Sequence, residues 1–268
     1  MQGRVLIIAG SDSGGGAGIQ ADIKAVTALN GFAMTAITAL TAQNTLGVHG
    51  VHEVPEAFIT HQIEVVLEDL GADVVKLGML HRASVIHAVA DALERLAPNV
   101  PVVLDPVMVA KGGHALLESD AMAAMKERLI PKASLLTPNV PEAEALTGAN
   151  IENVEDLAVA GDRLARLGAK AMLIKGGHLE SGDSVTDVLW QMHARPEIFT
   201  SRRIDTQHTH GTGCTLASAT ACGLAQGMTL TAAVQRARAY VHEAIVTAPG
   251  YGQGHGPLNH AHTVRDFP

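Results

Sequence analysis

Aromatic residues, cysteine and charge are all scarce in this chain of 268 residues. It has one Trp, two Tyr, four Phe and two cysteines, and only 17% of its residues are charged. With so few large rings, the core must be built from alanine, valine, leucine and glycine. That suits parallel strands buried on both faces beneath small-residue helices, in one large α/β domain. A net charge of -8 with no basic cluster argues against nucleic acid or an anionic membrane as partner. No apolar run is long enough to span a bilayer, and Met1-Gln2-Gly3-Arg4 leads straight into a strand, so neither a membrane segment nor a signal peptide is expected. Cys214 and Cys222 lie about two turns apart on one predicted helix, too far to bond each other. A reduced, cytoplasmic protein is the expectation.

The standard nucleotide motifs are missing as well. Arg4 to Ala9 reads as a buried strand, Ser11 to Gly18 as a glycine-rich loop, and Ile19 to Leu29 as a helix. The loop nevertheless fails the dinucleotide pattern, which needs glycine at Ile19, and it has no Gly-Lys-Ser/Thr ending.

What is present is a series of polar groups at predicted strand ends. Gln43 follows the strand Met34 to Ala42. Asp105 follows Val100 to Leu104, and Lys175 follows Ala171 to Ile174. Asn139 and Glu142 follow Ala133 to Thr137, where they suit a helix cap as well as a phosphate or metal site. In an open parallel sheet, ligands bind outside these carboxyl ends. Asp22 sits on the first helix, where it could share a ligand with Gln43. Asp105 fits either a turn before Pro106 or a metal–phosphate role, and Lys175 fits a phosphate contact. Ser184 to Met192 and Ile198 to Ile204 read as an edge hairpin. The histidines at 255, 260 and 262 make at most a weak metal site.

The centre of the pattern is Thr209-His210-Gly211-Thr212-Gly213-Cys214-Thr215, which leads into a helix of small residues. A helix start has unpaired amides and the positive end of the dipole, so it attracts anions. Cys214 falls in its first turn, where a thiol pKa tends to drop. Phosphoryl transfer fits this arrangement, and so does a plain helix start with an inert cysteine.

The ordered set resembles the ribokinase-like superfamily, and within it the hydroxymethylpyrimidine/phosphomethylpyrimidine kinases of thiamin biosynthesis. The segments that carry the resemblance run from Ala9 to Asp22 and Ile37 to Thr45, through Lys76 to Leu80, Leu104 to Met108, Thr137 to Ala143 and Lys175 to His178, to Thr209 to Thr215. Together they span essentially the whole chain. The resemblance implies a single ribokinase-like domain over 1–268, with a mostly parallel sheet flanked by helices. It also implies ATP and Mg²⁺ as cofactors, a small pyrimidine as substrate and a homo-oligomer, most simply a dimer. Residue by residue, Gln43 and Asp22 would bond the pyrimidine's amino group and ring nitrogen, with Gly10, Met79 and Val107 lining the pocket. Gly211, Thr212, Gly213 and Cys214 would form the anion hole, with Cys214 as base and its pKa held near neutrality. Asp105 and Glu142 would act on magnesium through water, with Asn139 and Lys175 near the phosphates. Gln207-His208 stands where family members often have Lys-Asn. Pyridoxal kinases that share the cysteine are the nearest alternative.

Overall fold

The computed structural model describes residues 1–109, 113, 116–118, 120–179 and 182–264. Nine strands form one sheet in the order β3-β2-β1-β4-β5-β6-β7-β8-β9. The first strand, β1 (Arg4–Asp12), pairs in parallel with β2 (Phe32–Asn44) on one side and with β4 (Val74–Leu77) on the other. Parallel pairing continues through β5 (Val102–Leu104), β6 (Leu135–Leu136) and β7 (Ala171–Ile174). Beyond β7, the antiparallel strands β8 (Ser184–Gln191) and β9 (Glu197–Arg202) form the expected edge hairpin. The chain leaves β1 first toward β2 and then toward β4. That reversal opens a crevice at the carboxyl end of β1.

The apolar runs explain the layering. Val5, Leu6, Ile7 and Ile8 are fully buried in succession, which requires helices on both faces of the sheet. One core cluster gathers the opposite strand faces against α2 (Glu56–Asp69), α3 (Ala83–Leu96), α5 (Val140–Thr147) and α6 (Val154–Ala165). The other packs β1 against α1 (Gly18–Ala28), α7 (Thr212–Ala225) and α8 (Leu230–Val246). Helix α7 is a central element of this face. Its small residues Ala217, Ala219, Ala221 and Cys222 have no exposed surface, so α1 and α8 approach it closely.

Two elements are not legible in the sequence pattern. Strand β3 (Gly47–Glu53) carries two glycines and two histidines, yet it pairs antiparallel with the projecting end of β2. The turn between them is fixed by Asn44, whose Oδ1 accepts the amides of Leu46 and Gly47. The second element is a short helix, α4 (Ala121–Ala124). It continues through a widened turn to Leu129 and a tight turn at Ile130–Lys132 before β6. No helix among the described residues is long and apolar enough to cross a membrane.

Candidate active site

The strand ends surround a cavity of about 860 Å³ at the crevice beside β1. Gly10, Gln43, Met79, Asp105, Val107, Asn139, Glu142 and Lys175 all line it, as do Gly211, Thr212, Gly213 and Cys214. Asp22 does not. Twelve of the thirteen residues singled out from the sequence therefore share one cavity, although they come from seven separate segments.

The start of α7 is built to leave its amides free. Gly211 takes the N-cap position at φ +84°, and no side chain caps the helix. The first helical hydrogen bond runs from Thr215 N to Gly211 O at 2.9 Å, so the amides of Gly213 and Cys214 precede it. A Cβ on Gly211 would overlap the Gly16 carbonyl oxygen, so the glycine loop lies directly against this turn. Thr215 is locked from behind: its hydroxyl donates to Gly211 O at 2.8 Å and accepts from His260 Nε2 at 2.9 Å. His260 is buried, which pushes its pKa down to about 4 and keeps the ring neutral. His255 Nδ1 meets Gln207 O, and His262 packs on Tyr240.

Opposite the helix start lies a charged floor. Asp105 Oδ1 accepts from Thr137 Oγ1 at 3.0 Å and from Lys175 Nζ at 3.1 Å. A Cβ added to Gly213 would lie 3.3 Å from Lys175 Nζ and 3.6 Å from Asp105 Oδ2, so glycine leaves an open cradle between helix start and floor. Asn139 and Glu142 form the capping box of α5: Glu142 N donates to Asn139 Oδ1 at 2.9 Å, and Asn139 N donates to Glu142 Oε2 at 2.8 Å. The helix-cap role and the cavity-lining role therefore coexist in the same two residues.

Burial, followed by repulsion from Asp105, raises the Glu142 carboxyl pKa to about 7, even though Lys175 pulls it down. The native state thus keeps a proton that the unfolded chain releases near the ordinary carboxylate pKa. Stability should fall as pH rises between about 4.5 and 7 and level off above that. Glu142→Gln keeps an oxygen for the Asn139 amide. In the metal-free protein it should be more stable than wild type by roughly 2–3 kcal/mol at pH 8 and nearly equal to it at pH 4.5. Thermal unfolding at the two pH values measures this, and an equal difference at both would contradict it.

Asp22 departs from the sequence expectation. It has no exposed surface, and its carboxylate accepts from Lys76 Nζ at 3.0 and 2.9 Å and from Ser218 Oγ at 2.6 Å. It is an internal counter-ion beneath the cavity rather than a contact for substrate. Lys76, missed as a site residue, is fully buried and lines the cavity floor. Burial opposes its charge, but Asp22, Cys214 and Asp105 together raise its pKa. The sequence signal was a lysine inside the apolar run Val74–Leu77, a position a cation occupies only when paired.

The Cys214 thiol departs too. Burial, with Asp22 and Asp105 adding to it, pushes its pKa up to about 12, against the pull of Lys76 and the Gly18 amide. The helix terminus does not bring it near neutrality. Asp12 and His210, also missed, lie on the cavity wall, where His210 Nε2 meets Asp12 Oδ2 at 2.8 Å.

A switch-point cavity in which a lysine and two carboxylates face an uncapped helix start suits phosphoryl transfer, and the α/β fold is that of solved ribokinase-like kinases. The phosphomethylpyrimidine kinase model matches residues 12–259. The chain is 54% identical over 268 residues to the thiamine biosynthesis bifunctional protein ThiED of Geobacter sulfurreducens. That alignment takes in 99% of the chain but about half, 54%, of the relative's length. The chain is also 49% identical to the hydroxymethylpyrimidine/phosphomethylpyrimidine kinase of Bacillus subtilis, covering 96% of the chain and 94% of the relative. Among solved structures, the pyridoxal kinase of Staphylococcus aureus in complex with AMP-PCP superimposes with a TM-score of 0.90 at 33% identity, covering 99% of this chain and 96% of that one. The chain belongs to the phosphomethylpyrimidine kinase family.

Proposed function

We propose that the chain uses Mg·ATP to phosphorylate 4-amino-5-hydroxymethyl-2-methylpyrimidine, and then its monophosphate to the diphosphate, in thiamin biosynthesis. The observation that carries this reading is the single cavity that holds the Gln43 wall, the Asp105–Lys175 floor and the free amides of α7 together. Its relatives' names and the nucleotide analogue bound by a structural neighbour agree with it.

Gln43, Gly10, Met79 and Val107 hold the pyrimidine with its hydroxymethyl group toward α7. The amides of Gly213 and Cys214 stabilise charge on the transferring group, which is the larger part of what such a reaction needs. Lys175 adds a point charge beside Asn139 at the same place. Asp105 and Glu142 fit a divalent cation, because a cation would offset both the burial and, after it, the repulsion from Asp105 that raise the Glu142 pKa. When bound, Mg²⁺ neutralises phosphate charge. Gln207, which lines the outer part of the site, brings no positive charge there. The helix amides and Lys175, with Arg203 on the wall shared by both parts of the site, remain to hold the monophosphate.

The raised Cys214 pKa supports a role other than base. A neutral thiol cannot take up a proton, so Cys214 orients the substrate hydroxyl, and the proton leaves with the phosphoryl oxygens in a loose transition state. Cys214→Ala should then lower kcat by about 10- to 100-fold. A working base would contribute up to about 10⁴. Phosphorus NMR of the reaction should show monophosphate and then diphosphate in wild type, with both forming more slowly in the variant. Complete loss in the variant would restore Cys214 as the base, and formation of pyridoxal phosphate alone would replace the substrate.

A further inference from the structure

Outside the cavity, a second group of ligating side chains converges where three segments of the chain meet. Glu53 ends β3, and His81 lies in the turn after β4. Glu118 follows Leu116 and Leu117, whose amides both donate to Met108 O. One ligand atom from each of the three lies within 4.8 Å of the others, and none of the three lines the large cavity.

The bonds around His81 settle which ring atom faces the cluster. Leu116 O is a carbonyl and only accepts, so the ring proton sits on Nδ1, 2.9 Å from it. In the neutral ring Nε2 then carries a bare lone pair. It stands 3.9 Å from Glu53 Oε1, too far for a hydrogen bond, so two acceptor atoms face each other across a gap. An imidazole whose other nitrogen is tied to a backbone carbonyl is the common setting of a metal-ligating histidine. The carboxylate is oriented in a similar way: Glu53 Oε2 accepts from Arg82 at 2.7 Å, which leaves Oε1 on the His81 side. Arg82 also pairs with Glu56 at 3.1 Å, so one guanidinium serves two carboxylates and Glu118 adds a third negative charge. A tetrahedral ion with bonds of about 2.0–2.1 Å holds its ligand atoms roughly 3.4 Å apart. His81 Nε2 and Glu53 Oε1 are near that spacing, and Glu118, exposed at the surface, closes the remaining gap by turning its side chain.

We propose that Glu53, His81 and Glu118 form a binding site for a divalent transition-metal ion of the zinc class, with water completing its coordination. One imidazole and two carboxylates suit Zn²⁺ better than Mg²⁺, which prefers oxygen ligands alone. The ion has a mechanical consequence. Leu116 is buried with Ala39 and Met79, packs near Val107, and lines the cavity. Glu118 N also donates to His81 O at 3.0 Å. An ion held by Glu118, His81 and Glu53 therefore ties this section of the cavity wall to the end of β3.

Zn²⁺ added to the chelator-treated protein without ATP, in competition with a chromophoric chelator, tests the site. Wild type should take up one ion that a large excess of Mg²⁺ does not displace. Its Tm should rise by about 5–10 °C at a Zn²⁺ concentration about a hundredfold above Kd. His81→Asn keeps a side-chain N–H for Leu116 O, tolerates the left-handed backbone at φ +67°, and removes Nε2. It should weaken binding at least about 100-fold, and Glu118→Gln at least about 10-fold. Glu118 is exposed, so its variant supplies the result if His81→Asn fails to fold. Asp105→Asn, on the cavity floor, should leave this affinity unchanged. No Zn²⁺ uptake by wild type would overturn the proposal and leave His81 as a protonated partner of Glu53. Uptake unchanged in both His81→Asn and Glu118→Gln would put the ion elsewhere and overturn it equally, with loss in Asp105→Asn marking the cavity as its place.

Discussion

Gly211→Ala should lower kcat by at least about 10²- to 10³-fold, the loss that follows removal of one preorganised donor at a developing charge. The residue stands at φ +84°, where an alanine is strained by about 1–3 kcal/mol. Its new Cβ would also meet the Gly16 carbonyl oxygen, so the helix start and the glycine loop would have to move apart. That shift displaces the amides of Gly213 and Cys214 from the cavity. Gly213→Ala is the informative companion. It lies inside α7, where alanine is the better helix former by about 1 kcal/mol, and its Cβ meets only Lys175 Nζ and Asp105 Oδ2 at 3.3 and 3.6 Å. It should keep or gain thermal stability while losing activity, because the methyl fills the cradle. Wild-type kcat in either variant would mean that the transferring group is not held at this helix start.

Lys76→Met should be among the most destabilising single changes in the protein, by about 3–5 kcal/mol, the usual effect of stranding one member of a buried ion pair. Asp22 would keep only the Ser218 hydroxyl among its partners. For a chain of this size each kcal/mol moves Tm by about 2–4 °C, so a fall of roughly 6–20 °C is expected. Adding Asp22→Asn to Lys76→Met removes the uncompensated charge and should recover more than half of that loss. A double variant no better than the single one would show that the pair's worth lies in packing rather than in charge.

The sequence shows the fold wherever one period dominates. The buried runs at Val5–Ile8, Val102–Leu104 and Ala171–Ile174 can only be strands covered on both sides, and they fall where expected. Strand β3 escapes notice because its glycines and histidines carry no apolar alternation. Its partner is the far end of β2, which no local pattern reveals. The candidate site is legible for a related reason: polar residues that end apolar strands share one edge of a parallel sheet. What the sequence hides is the depth of each group. Asp22 looks like a ligand contact until Lys76 and Ser218, 54 and 196 residues away, are seen to enclose its carboxylate. The Cys214 thiol likewise looks activated by the helix start until its burial and the nearby carboxylates are counted. His210 and Asp12 lie 198 positions apart, and only the folded loop brings them within hydrogen-bonding distance.

The most direct measurement is ADP release by the wild-type protein with ATP and hydroxymethylpyrimidine, its monophosphate or pyridoxal, each with and without Mg²⁺. Release with both pyrimidines, dependent on Mg²⁺ and well above that with pyridoxal, is the predicted result. Release with pyridoxal alone, or equal release with no acceptor present, would contradict a cavity built to bring a pyrimidine hydroxymethyl group to the start of α7.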